Sequence, residues 1–185
     1  MNRPTGWRPN PQAMATVSAR VEFGGNPLLS TAVDVDTWLT PRFILEQLGD
    51  FDLDPCAAET TPFWVAKRSY TVKDNGLEMD WTGRVFMNPP FSNTAPWIKK
   101  HAAYAHGISL IPASVESVVW RETVWKRAHA ILLLHGRTRF CNPDGSSTTG
   151  RPLRSIALIA WNNKDAQILE VTALAGVFLQ DWLAR

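Results

Sequence analysis

The sequence predicts an α/β fold in which a mostly parallel sheet carries helices on both faces. Two observations predict it. Short apolar runs alternate with segments of helical periodicity, and several of the runs stop at a proline. Strands that alternate with helices need crossover connections, which place parallel strands side by side. A chain of 185 residues, 45% of them hydrophobic, suits one compact domain.

The elements follow from local patterns. Thr40 is the predicted N-cap of a first helix, Pro41 its first residue and Gly49 its end. Apolar runs predict strands at residues 51–54, 84–87, 108–111, 130–134 and 156–161. Further helices are predicted at about residues 96–106, at about 114–128 and along the tail from 165, with a break near 176. Residues 1–33 hold many prolines and glycines, so an irregular N-terminal arm is expected before a domain of residues 34–185.

Composition excludes several functional classes. The net charge of +2 gives no strong overall field toward nucleic acid, so any such contact needs a local basic patch. Cys56 and Cys141 are too far apart to form a metal-ligand pair, and no metal site is predicted. His101 and His106 miss the four-residue spacing of a helical metal pair, and the histidines are expected in surface or capping roles. With no signal peptide or membrane-length apolar run, a soluble cytoplasmic protein is expected.

Two predicted strands end in unusual polar-proline sequences. Asp54-Pro55-Cys56-Ala57 follows the first, and Asn88-Pro89-Pro90-Phe91 follows the second. Ligands of parallel sheets bind beyond the carboxyl ends of the strands, so both sequences fall where a ligand is expected.

The Asn-Pro-Pro-Phe sequence suits the activation of a planar amino group. The Asn88 side-chain oxygen and the Pro89 carbonyl oxygen could accept hydrogen bonds from the two N–H groups of this amino group and free the nitrogen lone pair. The two prolines stiffen the turn, and Phe91 offers a flat face on which a nucleobase could stack. The same residues would also serve as an ordinary turn after a strand.

Taken together, the motifs resemble the phage-type DNA N6-adenine methyltransferases, a small Dam-like family found in phages and prophages. The resemblance spans about residues 36–162 and rests on Trp38-Leu39-Thr40-Pro41, Leu53-Asp54-Pro55-Cys56-Ala57-Ala58, Asn75-Gly76-Leu77, Asp80-Trp81, Gly83-Arg84-Val85-Phe86-Met87-Asn88-Pro89-Pro90-Phe91 and Gly136-Arg137-Thr138-Arg139-Phe140. It implies a Rossmann-like class I methyltransferase fold, S-adenosylmethionine as cofactor, and transfer of a methyl group to adenine N6 in DNA.

The resemblance also implies roles for matching residues. Asp54 would hold the amino group of the cofactor's methionine, with Pro55, Cys56 and Ala57 forming the bend beside it. Thr40 and Pro41 would line the methionine end of the pocket. Asp80 and Trp81 would bracket the cofactor's adenine, although Trp81 also suits the core. The glycine-rich loop of the wider superfamily is absent after Asp54.

DNA contacts and alternatives remain open at this point. Candidate phosphate contacts are Arg137, Arg139, Arg151 and Arg154, whereas a solvated face is favoured for Lys99 and Lys100. The acceptor could instead be cytosine N4, an RNA base or a protein glutamine amide, which all present a planar amino nitrogen. A further alternative is a catalytically inactive DNA-binding module on the same fold.

Overall fold

A computed structural model describes residues 37–146, 148 and 154–182. The expected N-terminal arm and Arg151 lie outside the described residues. The described part contains, in chain order, α1 (Arg42–Leu48), β1 (Phe51–Asp54), β2 (Ala66–Ser69), β3 (Val85–Met87), α2 (Thr94–Tyr104), β4 (Gly107–Pro112), α3 (a π-helical stretch Trp120–Val124 continued by the α-helical turn Trp125–Arg127), β5 (Ala130–Leu134), β6 (Ile156–Ala160), α4 (Asn163–Val171) and β7 (Gly176–Gln180). No helix in these ranges is long and apolar enough to cross a membrane.

The strands form one seven-stranded sheet in the order β2-β1-β3-β4-β6-β5-β7. The neighbours from β2 to β4 are parallel, whereas the β4–β6, β6–β5 and β5–β7 pairs are antiparallel. The prediction of a mostly parallel sheet is therefore correct only for the first half. The described part of the connection between β5 and β6 contains no helix. Without a helical crossover, β6 returns antiparallel to β5.

Helices cover both faces of the sheet. Val85 and Met87 of β3 belong to a hydrophobic core on one face of the sheet. Trp97 and Ile98 of α2 and Trp120 of α3 belong to the same core. Phe86, between Val85 and Met87 in sequence, points to the opposite face, because side chains alternate along a strand. There α1 contributes Ile44 and Leu48, and α4 contributes Ala166 and Leu169. The predicted α/β layering with helices on both faces is therefore present.

Four local predictions are wrong. β2 was not predicted because its sequence is Ala-Lys-Arg-Ser, whose lysine and arginine are exposed at the sheet edge. The tail is helical only to Val171, and Gly176–Gln180 form the edge strand β7. Pro41, not Thr40, is the N-cap of α1, and it makes no side-chain cap. His101 is fully buried instead of capping or lying at the surface, because Ser109 Oγ and the His106 carbonyl satisfy its ring nitrogens.

The strand order creates a topological switch beside β1. The chain passes from β1 to β2 on one side and then returns to β3 on the other side. The connections therefore leave the sheet edge in opposite directions, and a crevice opens between the carboxyl ends of β1 and β3. Asp54 ends β1, and Asn88 directly follows β3.

Candidate active site

A cleft of about 240 Å³ lies at this crevice. Its walls come from the turn after β1 (residues 55–58), the loop after β2 (Thr71, Val72, Asn75 and Gly76) and the turn after β3 (Asn88 and Pro90), with Thr37, Trp38 and Trp97 completing it. Three neighbouring strand ends thus supply most of the lining. Of the residues predicted from the sequence, Pro55, Cys56, Ala57, Asn88 and Pro90 meet in this cleft.

Asp54 lies at the base of the turn that borders the cleft. It is only 7% exposed, and no described lysine, arginine or histidine forms an ion pair with it. The Cys56 backbone N–H donates to its Oδ1 at 3.1 Å. Burial raises the pKa of Asp54 from 3.8 to about 7, and the hydrogen bonds from Cys56 only partly oppose this rise. A buried carboxylate without a cationic partner favours the binding of a positively charged ligand.

The Asn88 side chain has one satisfied end and one free end. Its Nδ2 donates to the Trp38 carbonyl oxygen at 2.8 Å. Its Oδ1 is buried and has no hydrogen-bond partner among the described residues. The Trp38 contact fixes which way the amide faces, because a carbonyl can only accept. Since an unpaired buried acceptor is costly in a folded protein, Oδ1 is a candidate acceptor for a ligand N–H.

Cys56 links the two strand ends. Its thiol hydrogen-bonds the Asp54 carboxylate and the Asn88 backbone. Burial raises the pKa of this thiol well above 9.0, the nearby Asp54 charge adds to the rise, and the Asn88 contact partly opposes it. The thiol therefore stays protonated at neutral pH and acts as a small packing residue in the cleft wall.

Phe91 lies at the edge of the site. It is half-buried, and its ring meets the Phe140 ring edge-on at a centroid distance of 5.5 Å. Cys141, which follows Phe140 in the chain, pairs with Leu39 through backbone hydrogen bonds of 2.9 and 3.0 Å. The segment around Phe140 is therefore held against the Asn-Pro-Pro-Phe turn and the stretch before α1. Pro89 is buried within that turn.

Gly76 brings the loop after β2 into direct contact with the turn after β1. A Cβ atom on Gly76 would lie 2.0 Å from the Pro55 carbonyl oxygen, so only glycine fits there. Asn75 before it has a positive φ of 51°, a conformation that asparagine tolerates better than most residues. Both line the cleft. Neither was a predicted site residue, although Asn-Gly is a sequence typical of a tight turn.

Of the predicted site residues, Asp54, Pro89 and Phe91 are not part of the cleft lining, and four other predicted cofactor residues also lie outside it. Thr40 and Pro41 are buried at the start of α1, and the preceding Trp38 lines the cleft instead. Trp81 is 7% exposed in the core, where its Nε1 donates to the Gly76 carbonyl at 2.8 Å. Asp80 is exposed. In the part of the chain described here, no group of three or more His, Cys, Asp or Glu side chains could hold a metal ion.

The candidate DNA-contacting residues differ in surroundings. Arg137, Arg139 and Arg154 are exposed, and Arg139 directly precedes Phe140 beside the Asn-Pro-Pro-Phe turn. Lys99 is exposed as expected. Lys100 is not a solvated residue, since its ammonium donates to the carbonyls of Leu77 and Met79.

Comparison with known proteins identifies the family of the chain. A family model described as DNA N-6-adenine-methyltransferase (Dam) matches residues 30–177, which include every described helix and strand except most of β7. No curated protein and no solved structure matches the chain. The resemblance found in the sequence motifs is confirmed. The chain belongs to the Dam family of DNA N-6-adenine methyltransferases.

Proposed function

We propose that the chain transfers the methyl group of S-adenosylmethionine to N6 of adenine in DNA, at the cleft between β1 and β3. The observation that carries this proposal is the Oδ1 of Asn88, a residue that lines the cleft. This atom is buried and has no hydrogen-bond partner among the described residues. The order of the sequence motifs favours the phage-type branch of the family, acting on DNA in the bacterial cytoplasm.

The residues at the end of β1 fit the methyl donor. S-adenosylmethionine supplies an electrophilic methyl group on a sulfonium and carries an ammonium. Asp54 offers a buried negative charge that forms no ion pair with the described residues. An ammonium beside it would lower the pKa of Asp54 and keep the carboxylate ionised. The turn of Pro55, Cys56 and Ala57 gives a narrow wall along which a ligand can lie.

The turn after β3 fits the methyl acceptor. The N6 amino group of adenine is planar, and its lone pair is delocalised into the ring. Asn88 Oδ1 and the Pro89 carbonyl oxygen would accept hydrogen bonds from its two N–H groups and make the lone pair available for in-line attack on the sulfonium-bound methyl group. As the N–C bond forms, the C–S bond would break to leave a neutral thioether, and the amino group would lose one proton to solvent. Because Trp38 already fixes the Asn88 amide, little reorganisation is needed during the reaction. Phe91 would support the base, which must leave the duplex to reach the cleft.

DNA would be held by arginines next to this turn. Arg139 is exposed one residue before Phe140, whose ring contacts Phe91, so a phosphate bound there would lie near the extruded base. Arg137 and Arg154 are exposed on the flanks of the same connection, and Arg151 belongs to it in sequence. The other predicted cofactor contacts, Thr40, Pro41, Asp80 and Trp81, would act through the loops that they support.

Separating the roles of Asn88 and Asp54 tests the proposal. We expect Asn88→Ala to lower methyl transfer by about 10²-fold or more, the size seen on removal of a preorganised hydrogen-bonding group, with donor affinity retained. Asp54→Ala should instead weaken donor binding. Transfer of tritiated methyl groups and calorimetric titration with S-adenosylmethionine measure the two effects. Asn93→Ala, an exposed asparagine that forms no side-chain cap for α2, is the matched control and should behave like wild type.

Product analysis decides the acceptor. DNA treated with the enzyme is digested to nucleosides and analysed by mass spectrometry, and N6-methyladenine is the expected product. N4-methylcytosine alone, or methylation of RNA or glutamine without N6-methyladenine, would overturn the assignment of the acceptor. A wild-type protein that binds DNA but not S-adenosylmethionine would be an inactive binding module instead.

A further inference from the structure

Lys100 makes an unusual set of contacts for a helix lysine. From α2 its Nζ reaches the backbone carbonyl oxygens of Leu77 at 2.8 Å and Met79 at 2.6 Å, and that of Gly76 at 3.4 Å. An ammonium has three N–H donors and no acceptor, so these carbonyls match its hydrogen-bonding capacity. The same Nζ lies 5.1 Å from the centre of the Trp81 ring, within the range of a cation–π interaction.

The loop that Lys100 contacts is also the wall of the cleft. Gly76 accepts a hydrogen bond from Trp81 Nε1 at 2.8 Å in addition to its contact with Lys100. Trp81 is itself fixed by edge-on ring contacts with His101 and Tyr104 at 5.4 and 5.8 Å. The backbone carbonyls of the loop thus accept hydrogen bonds from two side chains, Trp81 in the protein core and Lys100 on α2.

The position of this loop sets the width of the cleft. Gly76 is packed directly against the Pro55 carbonyl, with no room for a side chain between them. Asn75 and Gly76 therefore form the wall that continues the turn after β1, which begins directly after Asp54. Any movement of residues 75–79 that broke the contact between Gly76 and Pro55 would change the spacing of the two walls on which the methyl donor would rest.

We propose that Lys100 is a positioning residue for the methyl donor: it holds residues 75–79 in the conformation that completes the donor-binding wall. This inference rests on the proposed function, since it assumes that the donor occupies the cleft. Asp80, at the end of the loop, adds a favourable charge beside the ammonium. Lys100 acts through the loop and not by touching DNA, whereas its neighbour Lys99 is exposed to solvent on the same helix.

Lys99 provides a matched control. Lys100→Met keeps most of the aliphatic stem and removes the three donors, whereas Lys99→Met makes the same change on the exposed face of the same helix. We expect Lys100→Met to weaken S-adenosylmethionine binding about tenfold, the size of one lost charged hydrogen bond, with Lys99→Met unchanged. The KM for the donor should rise in the same proportion, while kcat at saturating donor and the KM for DNA stay near wild type.

Two results would overturn the inference without touching the proposed function. One is wild-type donor affinity in Lys100→Met; the other is a raised KM for DNA in this variant with donor affinity unchanged. If Lys100→Met does not fold, Lys100→Arg keeps the charge over Trp81 but cannot reproduce the three-donor geometry, and an intermediate donor affinity is expected. Donor affinity of Lys100→Arg equal to wild type would contradict the proposal. Failure of the wild type to bind the donor would instead refute the proposed function.

Discussion

Replacing Asp54 with asparagine should stabilise the ligand-free protein while weakening donor binding. The asparagine has the same shape, and its Oδ1 can still accept the hydrogen bond from the Cys56 backbone. It lacks the negative charge, which in the wild type is buried without a cationic partner among the described residues. The substitution therefore removes an unfavourable burial of charge together with the group that would attract an ammonium.

The size and sign of the effect follow from the pKa. Burial raises the pKa of Asp54 from 3.8 to about 7. At about 1.4 kcal/mol per pKa unit, the ionised carboxylate costs the folded state about 4 kcal/mol. The pKa of Asp54 is higher in the folded state than in the unfolded state. The stabilising contribution of protonated Asp54 to folding is therefore fully present below about pH 4. It is lost as the pH rises through about 7.

Urea unfolding of the two proteins without donor measures this effect. Other acids, such as Asp52 and Asp74, have lowered pKa values and change stability in the opposite direction, so the wild-type curve alone does not isolate Asp54. The difference between wild type and variant does. We expect the advantage of Asp54→Asn to grow by roughly 2–3 kcal/mol between about pH 5 and about pH 8. A difference that is constant over this range would show that Asp54 titrates normally and would refute the reasoning.

Three further substitutions test separate parts of the structure. Gly76→Ala places a methyl group 2.0 Å from the Pro55 carbonyl oxygen, and we expect it to lower stability by about 1–3 kcal/mol in urea unfolding and to reduce donor affinity in calorimetry. Arg84→Met leaves the buried Asp165 carboxylate without the guanidinium now 2.6 Å away, and should lower the unfolding free energy by about 3–5 kcal/mol with little change in kcat at low temperature. Phe91→Leu keeps an apolar contact but loses the flat ring, and should reduce kcat/KM for duplex DNA by about tenfold or more, with donor affinity unchanged. Normal stability in either of the first two variants, or full activity in the third, would contradict these assignments.

The strands at the centre of the sheet could be predicted because burial dictates their residues. β4 and β6 are buried along their whole length and contain only one polar residue, Ser109, so such runs are recognisable without any knowledge of their neighbours. Edge strands lack this constraint. β2 presents Lys67 and Arg68 to solvent. β7 follows α4 closely in sequence, and the local pattern of the tail predicts a largely helical segment. Their pairing depends on which partner strand is free, which is information that local sequence does not contain.

The candidate site shows the same division between local and distant causes. Asn88 and Asp54 could be found from the sequence because polar-proline turns after strands are unusual and their chemistry is specific. Trp38 could not be assigned its role, since it acts through a backbone carbonyl that any residue type carries. For the same reason, no sequence pattern reveals that three backbone carbonyls accept hydrogen bonds from Lys100. In the sequence, Lys100 cannot be distinguished from its helix neighbour Lys99.

The orientation of the candidate catalytic amide of Asn88 is therefore set by contacts far away in the chain. Asn88 would be equally able to present its N–H₂ or its oxygen to the cleft if it were judged by identity alone. The Trp38 carbonyl, 50 residues earlier, takes the N–H₂ group and leaves the oxygen free. Leu39 next to it is paired with Cys141, so the orientation of the amide depends on the segment that carries Phe140 and borders Phe91. Residue type decides which chemistry the site can perform, and the packing of these three segments decides whether the acceptor faces the substrate.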